Sequence, residues 1–123
     1  MAENRSPELS GRVIRTVSGD DMTMMVDLGV DDLYKKVRIR LSGVDTPTGF
    51  QASPDSPGGL VRDAVRGLVE NRECTIRVGV QNKSGWIVDL FVPTAAGTIL
   101  HLNQHLRDQG YVFRRPQGNG RNE

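Results

Sequence analysis

The 123-residue sequence contains one cysteine, Cys74. A lone thiol forms no internal disulfide and builds no Cys-cluster metal site, which agrees with a reducing compartment. Its setting in ECTIRVGV suits a small hydrophobe in a strand. No run of about 18 apolar residues is present, so neither a membrane-spanning helix nor a membrane partner is expected. The opening MAENRSPELSGR has no apolar core behind a basic start and does not read as a secretory signal. The expected location is therefore cytoplasmic. Net charge is scarce as well: 16 basic against 15 acidic residues leave +1. The broad positive field of an obvious nucleic-acid binder is missing, and any such binding must come from a local patch. Aromatics are 5% of the chain, thin for a protein that stacks many bases.

What is present reads as one domain, since a chain of this length supports a single core. Residues 1–10 are polar and read as a flexible arm. From Gly11, RVIRTV alternates as a strand, and Ser18-Gly19-Asp20-Asp21 makes the turn to MTMMVDLGV. Met22, Met24 and Met25 read as core filler. In LYKKVRIRLSGV, Val37, Ile39 and Leu41 share one face while Lys36, Arg38 and Arg40 share the other. Residues 45–58, with three prolines and two glycines, read as a long irregular loop, and such loops inside compact domains tend to be functional or disordered. Leu60, Val61, Ala64, Val65, Leu68 and Val69 follow helical spacing, with Asn71 at the end. Two strands, CTIRVGV and GWIVDLFV, come next, and then a second helix from Ile99 to Gln109, stopped by Gly110. The tail 114–123 reads as flexible and basic. Three strands, a helix, two strands and a helix give a mainly β, α+β chain with the connectivity of a five-stranded OB-fold barrel carrying two or three helices.

Four segments in order then carry a family likeness: VIRTVSGDDM, VRIRLSGVDTP, SGWIVDLFV and LNQHLRDQGYV. Over about residues 11–113 the chain resembles the staphylococcal nuclease-like (thermonuclease) family, OB-fold enzymes that cleave phosphodiesters with calcium. The resemblance implies that Asp20 and Asp45 are metal-ligating carboxylates, that Thr46 offers its backbone carbonyl, and that Arg40 is the first phosphate clamp. It also implies a glutamate directly after Asp-Thr-Pro, where this chain has Thr48, and a second arginine at or next to Trp86 in SGW. A threonine hydroxyl has no pKa near neutrality and is no general base. Losing one preorganised charge commonly costs on the order of 10²- to 10³-fold in rate, so hydrolysis is expected to be impaired. Asp55 and Lys83 are the candidate substitutes, although lysine lacks the arginine fork.

The function expected is a nuclease-like module that binds DNA or RNA, or a nucleoprotein partner, through Lys36, Arg38, Arg40, Trp86, Arg114 and Arg115. Trp86 stands open between base stacking on a cleft rim and ordinary barrel core. The alternatives are an active calcium-dependent endonuclease with relocated groups and an adaptor that binds a protein partner. His101 and His105, four apart, could share a metal on one helix face, but with no third ligand they read as one exposed and one packed histidine.

Overall fold

The structure, a computed structural model, describes residues 8–112. Residues 1–7, part of the expected arm over 1–10, and the segment from Phe113 onward, with Arg114 and Arg115, lie outside the described residues. The elements are β1 (Glu8–Ser18), β2 (Asp21–Asp27), β3 (Tyr34–Leu41), α1 (Pro57–Val69), β4 (Glu73–Asn82), β5 (Gly85–Pro93), β6 (Ile99–His101) and α2 (Leu102–Asp108).

The sheet runs β3-β2-β1-β4-β5-β6, and β3 also pairs in parallel with β5 through Ile39↔Trp86, Arg40↔Ile87 and Leu41↔Val88. That extra pairing joins the two ends, so β1 to β5 form a closed five-stranded barrel with β6 added outside β5. Closure removes the open edges that would otherwise invite aggregation. The result is a mainly β fold with two helices, compatible with an OB-fold.

Inward residues come from alternation. On β3 Val37, Ile39 and Leu41 are buried while Lys36, Arg38 and Arg40 are exposed, and on β2 Met22, Met24 and Val26 are fully buried. Cys74 is buried in β4, where desolvation pushes its thiol up to about 11.

Three boundaries depart from the sequence reading. β1 begins at Glu8, because Glu8–Arg12 pair with Arg77–Glu73 of β4 and the ladder holds polar residues that periodicity leaves in an arm. α1 begins at Pro57, capped by Ser56, whose Oγ accepts the Gly59 N–H at 3.0 Å. Its buried face is Val61, Arg62, Val65 and Val69, whereas Leu60 is 61% exposed. Ile99–His101 form β6 against Phe91–Pro93, so α2 starts only at Leu102.

Gly58 and Gly59 allow the loop before α1 to lie on the helix. A Cβ at Gly58 would stand 1.7 Å from the Thr48 carbonyl oxygen, and one at Gly59 1.9 Å from that of Ser53. No larger residue fits either position without moving backbone. No helix among the described residues is long and apolar enough to cross a membrane.

Candidate functional site

A cleft of about 580 Å³ opens where the ends of β1, β2 and β3 meet the loop after β3. Arg38 and Arg40 reach it because strand alternation that buries Val37, Ile39 and Leu41 turns them outward. Asp21 lies opposite Arg40 in the β2–β3 ladder, and Thr23 opposite Arg38.

The two arginines are held differently. Arg38 donates through Nε to Asp21 Oδ1 at 2.9 Å and through Nη2 to Oδ2, a forked pair that raises the arginine's pKa. Arg40 makes no hydrogen bond among the described residues, and its nearest carboxylate oxygen is Asp20 Oδ2 at 3.8 Å. Its donors are free to meet a ligand.

Asp20 sits in the turn between β1 and β2 and is 6% exposed. Its Oδ1 accepts the Thr46 hydroxyl at 3.0 Å. Burial raises its pKa above the ordinary carboxylate value, with neighbouring Asp21 adding repulsion, while the Thr46 hydrogen bond and Arg40 oppose the rise.

The loop Ser42-Gly-Val-Asp-Thr-Pro-Thr-Gly-Phe50 is pinned along its length. Ser42 receives Arg107 and Asn103 on its carbonyl, both at 3.0 Å, and Asp45 N–H donates to the Tyr111 carbonyl at 3.3 Å. Gly49 N–H donates to Ser18 Oγ at 2.9 Å. The Arg62 guanidinium, buried beneath the loop, donates through Nη1 to the carbonyls of Gly49 (2.8 Å) and Ala52 (2.7 Å) while Asp63 balances its charge. Asp45, Thr46 and Thr48 therefore face the cleft on a fixed backbone, with Asp45 and Thr48 exposed.

The cleft gathers Asp20, Arg38, Arg40, Asp45, Thr46 and Thr48. It does not gather the others. Trp86, 9% exposed, belongs to the hydrophobic core and borders a separate recess with Lys35, Lys36 and Lys83. Its indole packs inside because its barrel partner is the buried Ile39. Neither Asp55 nor Lys83 lines the main cleft. His101 lies on β6, stacked on Phe91 with Nε2 3.0 Å from Asp89 Oδ1, and His105 meets Gln109 on α2, so the two share no helix face.

Calcium takes about six to eight oxygen ligands. Among the described residues no three His, Cys, Asp or Glu side chains are placed to hold one metal ion together, and Asp20 already accepts Thr46 on one oxygen and faces Arg40 with the other. This donor set does not by itself fit a resident calcium ion.

Arg15 and Arg62 were missed by periodicity. In β1 Val13 pairs with Met24 and Arg15 with Thr23, so Ile14 is an extra residue, and inward positions switch from Gly11 and Val13 to Thr16 and Ser18. This bulge re-aims Arg15 to the cleft. The doublet Val13-Ile14, which breaks alternation, was the available signal. For Arg62 the signal was its place on the helix stripe of Val65 and Val69.

No protein-family model matches the chain, and no curated protein matches it.

Proposed function

We propose that this barrel is a nucleic-acid-binding module of the staphylococcal nuclease-like type whose hydrolytic chemistry is lost. The observation that carries the reading is one cleft that collects Arg15, Arg38 and Arg40 beside the loop bearing Asp45 and Thr48. A guanidinium with unspent donors, as Arg40 has, matches phosphate oxygens in charge and shape. Asp21 orients Arg38 rather than removing it, because one edge of the guanidinium remains. Lys36 extends the basic face along β3.

Hydrolysis needs a group to take the proton of water, and the cleft offers Thr48 in that place. Asp20 accepts the Thr46 hydroxyl and Asp21 holds Arg38, while Asp45, exposed at the rim, is the carboxylate of the cleft without a side-chain partner among the described residues. Trp86→Arg is no simple repair, since it would put a charge into the barrel core.

Fluorescence anisotropy with labelled single-stranded DNA and RNA tests the binding. With about three phosphates neutralised, affinity should fall about 20-fold between 50 and 200 mM salt. Salt-independent affinity, or none, would leave a protein partner as the better reading. Incubation of the same strands with calcium or with a chelator should leave both intact. Calcium-dependent cleavage would restore the enzyme.

A further inference from the structure

We infer that a second nucleotide subsite lies across Phe50 from the main cleft, taking one base of a single strand against the Phe50 ring and its phosphate on Arg15. This rests on the nucleic-acid reading above and extends it. A separate cavity of about 350 Å³ is bordered by Arg15, Thr16, Phe50 and Arg66, within the size range of small-ligand pockets, about 300–1,000 Å³. Arg15, Val17 and Phe50 border both cavities, so they form the wall between them.

Phe50 is 54% exposed. Its ring stays in solvent because the backbone on either side is fixed. The Gly49 carbonyl accepts both Arg62 Nη1 and the Ala52 N–H (3.1 Å), and Gln51 adopts φ +55, closing a tight turn with Phe50 at its corner. A ring held out on a fixed turn is a stacking surface that loses little freedom when a base covers it.

The charge comes from Arg15. Arg62 is committed to two carbonyls and Asp63, and Arg66 is paired with Asp63 and Glu70. Arg15 makes no hydrogen bond or ion pair among the described residues, and it stands where a phosphate passing between the cavities would lie.

Anisotropy with labelled oligothymidylates tests the subsite, from a dinucleotide up to the about 4–16 nucleotides an OB-fold covers. Wild-type affinity should rise with length. Phe50→Ala should lower affinity for the longer strands about 5- to 150-fold and leave the dinucleotide little changed. Arg15→Ala should weaken the longer strands and reduce the salt slope by about 0.7. Circular dichroism should show both variants folded, since both side chains are exposed. If the wild type binds long strands and Phe50→Ala matches it, the subsite is wrong and the nucleic-acid reading stands. If the wild type binds no strand of any length, both fall.

Discussion

Asp20 is a carboxylate placed where a neutral side chain would fold more easily. It is buried, it faces another carboxylate at Asp21, and its partners do not fully offset the loss of water. A folded-state pKa raised above the unfolded one means stability is greatest with the proton on and is lost as pH rises through the raised value. Asp20→Asn keeps an oxygen for the Thr46 hydroxyl and removes the buried charge. Its thermal midpoint at pH 7 should lie a few degrees above wild type, and the advantage should shrink on acidification as Asp20 takes up its own proton. A lower midpoint at pH 7 would show that Arg40 stabilises the carboxylate more than burial penalises it. Such a position was visible in the sequence as a turn aspartate, yet its burial was not, because burial depends on Thr46, which is 26 residues away.

At the scale of elements, the loop after β3 is rigid because α1 grips it. Gly58 and Gly59 let the two backbones approach, and Arg62 fills the space between them with hydrogen bonds. Arg62→Met retains the apolar stem and removes the donors. The amides from Gly49 to Ala52 should then exchange with solvent about tenfold faster, while those of β4 and β5 stay protected. Unchanged exchange in the loop would mean that the Ser18 and Tyr111 contacts suffice. Periodicity read β3 correctly, since its side chains alternate by sequence alone. It misread the ends of β1 and α2, because pairing with β4 and β5 is a long-range choice that local propensity does not carry. Leu60 shows the same limit on α1. Helical spacing grouped it with Val61 and Val65, but the helix is oriented to bury Arg62 instead.

For the whole molecule, one buried side chain of α2 hydrogen-bonds to the barrel and to the loop after β3 at once. Asn103 is fully buried; its Oδ1 accepts the Leu90 N–H at 2.9 Å, and its Nδ2 donates to the carbonyls of Val88 and Ser42 at 3.0 Å each. It thereby connects α2, β5 and the start of the cleft loop. Asn103→Ala leaves those groups in the interior without partners and should cost about 3 kcal/mol, read as a lower denaturant midpoint with little change in slope. A loss below about 1 kcal/mol would mean that water replaces the amide. The order of the first five strands and the two helices was legible from turns and alternation, whereas β6 was not, and the grouping of Asp20, Arg40 and Asp45 came from the family resemblance alone. The core position of Trp86 was not, because it follows from the parallel pairing of β3 with β5, which closes the barrel and has no local signature.

The extra residue in β1 gives the site a property of a different kind. Strand residues are read by the fold in odd and even ranks, and Ile14 swaps the ranks midway. Arg15 faces the ligand side because Ile14 is left out of the ladder between β1 and β2. Exchanging Ile14 for another side chain leaves those faces intact, and so does deleting it, because Val13 and Arg15 would then follow one another in a regular ladder; drawing Ile14 into the ladder would instead turn the guanidinium into the barrel and Thr16 to the outside. The hairpin at Gly29–Asp32, at the far end of β2 and β3, carries no such constraint. Length can drift there without changing what the cleft presents, so the cleft depends on which β1 residues pair at its own end of the ladder and not on the turn at the far end.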